Sequence, residues 1–101
     1  MAKSEEQLES EIEAAKKRCH ATGVVLAKKY EEWLAAEDRC KAANKAYRRA
    51  PEDDSRLHEY IRADAVEKKA WKEFNIAADS YGKREEKRAK LGRELRALRG
   101  Q

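Results

Sequence analysis

Few residues in this chain are of the types that carry out nucleophilic, acid–base or metal chemistry. The 101-residue sequence contains two histidines, His20 and His58, and two cysteines, Cys19 and Cys40. Neither histidine follows an Asp or Glu by three residues, so the Glu-x-x-His ligand pairs of di-iron helical bundles are absent. Cys19 and His20 are adjacent, and neighbours on a helix diverge by about 100° and do not easily chelate one ion. We therefore expect no enzymatic activity, no metal site and no cofactor.

The two cysteines are predicted to be small buried residues of a single helix. Cys19 and Cys40 would lie roughly 30 Å apart along it at a rise of 1.5 Å per residue, too far to form a disulfide with each other. A disulfide between two molecules is the less favoured alternative. Reduced thiols are typical of the cytosol. The N-terminus lacks the apolar segment of a signal peptide, and no apolar run is long enough to cross a bilayer. These features predict a cytoplasmic protein.

Basic side chains form two clusters, one near each end of the chain. The candidate basic patch consists of Lys16, Lys17, Arg18, Lys83, Arg84, Lys87, Arg88, Lys90 and Arg93. The simpler interpretation is a solvated face that balances neighbouring acidic residues. The alternative is a surface that binds nucleic-acid phosphates or an acidic protein. No groove-reading motif accompanies the cluster, so any binding to nucleic acid would be independent of base sequence.

The composition favours long helices over a compact globule or a disordered chain. Charged residues make up 44% and hydrophobic residues 41% of the sequence, with one proline and four glycines, and the net charge is +4. A high content of Ala, Glu, Lys, Leu and Arg with a period near 3.5 residues is typical of coiled coils. The length predicts a single domain over residues 1–101.

A row of apolar residues, each seven positions after the last, predicts helix 1 over about residues 4–50. It comprises Ile12, Cys19, Leu26, Trp33, Cys40 and Tyr47. Ser4 and Gln7 have the spacing of a capping box, which marks the helix start. Gly23 is the weak point of this helix, although the row keeps its phase through it. We expect a flexible spot there rather than a break.

Pro51 marks the one predicted turn, near residues 50–54, because the residue before a proline avoids helical backbone angles. Helix 2 should run from Pro51 or Asp54 to about Arg99, and its apolar residues fall into three rows. The Leu57 row holds Leu57, Asp64, Trp71, Ala78 and Glu85. The Tyr60 row holds Tyr60, Glu67, Phe74, Tyr81, Arg88 and Leu95. The Ala63 row holds Ala63, Ala70, Ala77, Leu91 and Leu98.

Two helices of similar length joined by a short turn predict an all-α, antiparallel, coiled-coil-like hairpin. Residues equally distant from the turn should meet, which places Trp33 beside Trp71 and Ile12 beside Leu91. Such a hairpin has one seam and no enclosed core, so we expect it to self-associate into a helical bundle as a dimer or larger.

Apolar residues away from the seam form the candidate partner-binding set. They are Val24, Val25, Tyr30, Leu34, Val66 and Ile76. We interpret the protein as a small adaptor or inhibitor that presents a rigid helical hairpin to itself, to a larger protein, or to both. By analogy of size and fold alone, this would suit a phage or mobile-element protein. The alternative function is non-specific binding of nucleic-acid backbone by the basic patch, and no membrane partner is expected.

Overall fold

The computed structural model describes residues 3–100 and consists of two long helices. Helix α1 spans Glu5–Arg49 and helix α2 spans Asp54–Arg99, with 45 and 46 residues. No strand occurs between residues 3 and 100. The helices pack against each other in opposite directions, so the predicted all-α antiparallel hairpin is confirmed.

Helix α1 starts with the predicted capping box. The backbone amide of Gln7 donates to Ser4 Oγ at 3.2 Å, and the amide of Ser4 donates to Gln7 Oε1 at 2.9 Å. Glu5 and Glu6 follow in the first turn, where the positive end of the helix dipole favours carboxylates. The helix continues through Gly23 without a break, as expected from the unbroken heptad phase.

The turn between the helices is stabilised by backbone hydrogen bonds and by one side chain. The amide of Ala50 donates to the carbonyl of Tyr47 at 3.1 Å, and the amide of Asp53 donates to the carbonyl of Ala50 at 3.0 Å. Asp53 then caps α2, because its Oδ1 accepts from the Ser55 amide at 3.0 Å and from the Ser55 hydroxyl at 2.8 Å. Pro51 therefore lies in the turn, and of the two predicted starts the helix uses Asp54.

The chain divides into two compact units, which are described separately. The terminal unit contains Met1–Leu26 and Ala77–Gln101, and the turn unit contains Ala27–Ile76. The assignment of residues 1–101 to one domain stays a prediction.

The terminal unit has a small apolar core. Leu8, Ala15 and Leu91 are buried, and Ile12, Leu95 and Leu98 pack against them. The predicted proximity of Ile12 and Leu91 agrees with this cluster. At its edge, the guanidinium of Arg99 bonds to the carboxylates of Glu5 and Glu9, both at 2.7 Å.

The turn unit is buried mainly through alanines. Ala36, Ala43 and Ala63 are its buried apolar residues, whereas the aromatic side chains around them are half-buried or exposed. No large side chain of residues 3–100 is fully buried. In this unit the seam therefore buries alanines and covers the aromatic side chains only on one side.

Gly23 has a packing role that the sequence did not indicate. A Cβ atom at this position would lie 3.3 Å from Tyr81 Cε2, whereas a Cβ at Gly82 would meet nothing within 4 Å. Both glycines are helical and lack a positive φ angle. Gly23 is thus the residue that lets the Tyr81 ring lie against the backbone of α1.

We predict different effects of alanine at these two glycines. Gly82→Ala should raise the free energy of unfolding by about 1 kcal/mol, since it removes a helix-interior glycine without new contacts. Gly23→Ala should gain clearly less, because its methyl group meets the Tyr81 ring. Urea unfolding followed by circular dichroism measures both. In a Tyr81→Leu background the Gly23→Ala gain should approach that at Gly82, and an equal gain in the wild-type background would contradict the contact.

The Asp53 cap should make stability depend on pH. The Ser55 hydroxyl donates to Asp53, and this bond chiefly holds the pKa of that carboxyl below its ordinary value of 3.8. Because the folded pKa is the lower one, the stabilisation is present above the unfolded pKa and is lost as pH falls through the folded pKa.

We predict that Asp53→Ala lowers the melting temperature at pH 7 and that this deficit shrinks towards pH 2. Asp53→Asn is the matched control, because it keeps an oxygen acceptor at the cap and removes only the charge. Thermal melts at pH 7, 4 and 2 measure the effect. An Asp53→Ala deficit that is the same at pH 7 and pH 2 would show that the carboxylate charge does not stabilise the cap.

Candidate protein-interaction surfaces

Four aromatic side chains form a cluster in the turn unit. The ring centroids of Trp33 and Trp71 lie 4.6 Å apart, which confirms the predicted contact of the two tryptophans. Phe74 stacks on Trp33 at 5.8 Å and on Trp71 at 5.9 Å. Tyr30 completes the cluster, with its ring 5.5 Å from Phe74 and 6.0 Å from Trp33. Tilted and offset rings at these distances attract one another beyond the area they bury.

Polar contacts fix the orientation of the cluster. Trp33 Nε1 donates to Glu67 Oε1 at 3.0 Å, which satisfies the one polar atom of the half-buried indole. Nearby, Lys29 Nζ lies 3.3 Å from both Glu32 and Glu73, and the bond to Glu73 is the main reason that the pKa of this lysine is raised. Glu67 itself forms no ion pair with any residue of 3–100. The cluster thus holds a carboxylate that accepts the Trp33 hydrogen bond and has no ion-pair partner among the described residues.

Cys40 is not an activated nucleophile. Its thiol points at Asp64 Oδ1, 3.9 Å away. Desolvation, followed by the negative charge of Asp64, raises the pKa of the Cys40 thiol above its ordinary value. A raised pKa keeps the sulfur protonated at neutral pH, and the thiolate is the reactive form. The prediction that both cysteines are buried is confirmed for Cys19 and is wrong for Cys40, which is only half-buried.

All six residues of the candidate partner-binding set are exposed. In the terminal unit these are Val24 and Val25, and in the turn unit they are Tyr30, Leu34, Val66 and Ile76. Their role in binding stays a prediction, but the structure shows which of those in the turn unit share a face. Leu34 follows Tyr30 by four residues and so lies beside it on α1. Tyr30 in turn belongs to the aromatic cluster.

Val66 and Ile76 do not share that face. Each is five positions from Trp71, which is about 140° around the helix. Tyr30 and Leu34 are therefore separated from Val66 and Ile76. Tyr30, Leu34 and Trp71, which is not in the set, together form the surface that we call the aromatic flank.

Sequence reasoning missed two exposed apolar residues, Trp71 and Ile61. Trp71 leaves 44% of its surface exposed although it touches Trp33. The buried residues of α2 are Ala63, Ala77 and Leu91, all from the Ala63 row, so the Leu57 row that contains Trp71 lies to one side of the seam. The sequence held only a partial signal. The Leu57 row also contains Asp64 and Glu85, which avoid full burial, but the Tyr60 row contains charged residues as well.

The structure divides the candidate basic patch among grooves of the terminal unit. The arginine groove, of about 350 Å³, is lined by Ile12, Lys16, Glu85, Arg88, Ala89, Gly92, Arg93 and Arg96. Two lysine grooves, of about 410 and 250 Å³, are lined by Lys3, Glu11, Ala14, Arg18, Lys83, Glu86, Lys87, Lys90, Leu91 and Glu94. The arginine groove shares no lining residue with the lysine grooves. Lys17 and Arg84, the remaining members of the patch, are exposed.

Ion pairs neutralise part of this basic surface. Lys16 pairs with Glu13 at 3.4 Å, Lys83 with Asp79 at 3.1 Å and Arg88 with Glu85 at 3.8 Å. The other members of the patch form no ion pair with any described residue. They are Lys17, Arg18, Arg84, Lys87, Lys90 and Arg93. These exposed cations remain available to an anionic partner. The choice between a merely solvated face and a binding surface stays open.

Over residues 3–100, no three side chains of His, Cys, Asp or Glu lie close enough together to hold a metal ion. Both histidines are exposed. Neither helix in the described chain has a stretch apolar and long enough to span a membrane.

We predict that Trp33 and Trp71 are energetically coupled. A double-mutant cycle of Trp33→Leu and Trp71→Leu should give a coupling free energy of about 0.5–1.5 kcal/mol, because the rings touch. Urea unfolding of the four proteins measures it. Trp33→Leu combined with Tyr47→Leu is the control, since Tyr47 lies four turns further along α1. Additive effects for the tryptophan pair would contradict their contact.

Comparison of the chain with protein-family models, with curated proteins and with solved structures finds no match.

Proposed function

We propose that the protein is a non-enzymatic interaction module, an adaptor or inhibitor, that binds a protein partner through the aromatic flank. The observation that carries this proposal is the exposed indole of Trp71, which is held in place by Trp33 and Phe74. Tryptophan and tyrosine are over-represented among the residues that dominate protein interfaces. Contiguous exposed apolar patches are typical of interaction sites, and Trp71 together with Tyr30 and Leu34 offers such a patch to a partner.

The packing of the flank favours binding because it lowers the entropic cost of association. Trp71 rests on two rings, and Tyr30 rests on Phe74, so neither side chain has to be immobilised when a partner arrives. Leu34 adds an aliphatic contact beside Tyr30. Acidic residues border these apolar groups, namely Glu31, Asp38 and Glu67, which gives the flank the apolar centre and polar rim of a protein interface.

The chemistry of the remaining residues supports a non-enzymatic role. The protonated Cys40 thiol and the exposed histidines offer no paired nucleophile and base of the kind that covalent catalysis requires. The grooves of the terminal unit are lined chiefly by cations and alkyl groups, which suits docking better than bond cleavage.

We predict that binding depends on Trp71 and not on exposed apolar surface in general. Wild-type protein, Trp71→Ser and Val66→Ser are immobilised, and the proteins captured from a lysate of the native host are quantified by mass spectrometry. Val66→Ser is the matched control, because Val66 is similarly exposed but lies about 140° around α2 from Trp71. Trp71→Ser should lose at least about tenfold of a protein that the other two retain. If the wild-type protein and both variants captured the same proteins in the same amounts, the proposal would be wrong.

A second candidate function is binding to nucleic-acid phosphates through the terminal unit. The cations without ion pairs on both sets of grooves favour it, including Arg18, Lys87, Lys90 and Arg93. Binding to DNA or RNA of random sequence, measured against salt concentration, tests it. A steep loss of affinity with salt supports phosphate contacts, and no binding at low salt excludes this function.

A further inference from the structure

We infer that the partner of the aromatic flank includes a second copy of this chain, whose arginine groove receives it. This inference rests on the proposed function and names one occupant for its surface. The two surfaces lie on different units, so the contact joins the turn unit of one molecule to the terminal unit of another.

The groove has the shape and lining to receive an aromatic side chain. Its lining includes the apolar residues Ile12 and Ala89 together with Gly92, which carries no side chain that would fill the groove. A volume of about 350 Å³ is at the lower end of the range in which proteins bind molecules of moderate size. An indole ring offers a flat apolar face to such a lining, and Trp71 is the large exposed indole of the turn unit.

The charges of the two surfaces are complementary. Arg93 and Arg96 line the groove, and neither forms an ion pair with another described residue. On the flank, Glu31 and Asp38 lie three residues before and four residues after Leu34, so all three share one face of α1. Neither of these carboxylates has an ion pair within residues 3–100. Docking thus places unpaired arginines against unpaired carboxylates and an exposed ring.

Arginine suits this pairing better than lysine. A guanidinium can stack on an indole face and bond a carboxylate with two N–H groups at once. The arginine groove carries three arginines, whereas the larger of the two lysine grooves is lined by lysines and no arginine. The flank offers both kinds of contact. One arginine side chain can stack on the Trp71 indole and bond the carboxylate of Glu67, which lies four residues earlier on α2.

The contact is heterologous, because two different patches meet. Each molecule therefore has one flank and one groove, and a variant that lacks either patch can still offer the other. This property allows a complementation experiment on the full-length chain. The flank variant is Trp71→Ser, and the groove variant is Arg93→Glu with Arg96→Glu. Sedimentation velocity over a micromolar concentration series measures association of each.

Three results are expected together. The wild-type chain self-associates, each variant alone associates at least about tenfold more weakly, and an equimolar mixture of the two recovers complexes. Gly92→Gln provides a groove variant that leaves the charges unchanged. A Cβ atom there meets only the flexible Arg96 guanidinium, at 4.0 Å, so the hairpin should fold while the longer side chain occupies the groove. Circular dichroism confirms that each variant is helical.

A monomeric wild-type chain at high micromolar concentration would overturn this inference, as would groove variants that associate like the wild type. A mixture that stays dissociated while both variants remain helical would also overturn it. None of these outcomes touches the proposed function, which fails only when capture of other proteins is independent of Trp71. The wild-type chain could be monomeric while Trp71→Ser fails to capture a host protein that the wild type captures. That combination would identify a different partner for the same flank.

Discussion

The structure depends on one geometric constraint, namely that a seam between two helices encloses small side chains much more readily than aromatic ones. Alanine and cysteine fit between two backbones, and they account for most of the buried residues, together with Leu8 and Leu91. An aromatic side chain at the same seam, such as Trp71 or Tyr30, extends past the partner helix and keeps one side in water. Exposed aromatic surface is therefore a built-in property of this architecture, and a third or fourth helix is what would cover it.

Some features of this fold could be predicted from the sequence alone. The heptad row from Ile12 to Tyr47 and the single proline predicted two helices and their direction, because both signals are local and repeat many times. The capping box at Ser4 was equally readable, since it depends on two residues only. Trp33 and Trp71 met as predicted because a tight turn leaves little freedom in the register of the two helices.

The details of the candidate site were not readable in the same way. Three rows on α2 competed to face α1, and the sequence did not decide that the alanine-rich Ala63 row would be buried while Trp71 stayed half open. The basic clusters looked like one patch because the hairpin brings Lys16 near Arg88. They lie in different grooves because their side chains point in different directions around each helix. A count of charges along the chain does not give these directions. The contact of Gly23 with the Tyr81 ring could also be found only in the structure, because the sequence alone is equally consistent with a glycine that weakens the helix.

The separation in sequence of the contacting residues has a consequence for the order of folding. The contacts next to the turn join residues that are close in the chain, as with Arg56 and the Ala46 carbonyl, ten positions apart. The ion pair of Glu5 with Arg99 joins positions 94 residues apart. Closing a loop costs more entropy as it lengthens, so the turn-proximal contacts form at the lower cost and each later pair extends a hairpin already closed. The terminal pairs are then the last to form and the first to exchange their amide hydrogens with solvent.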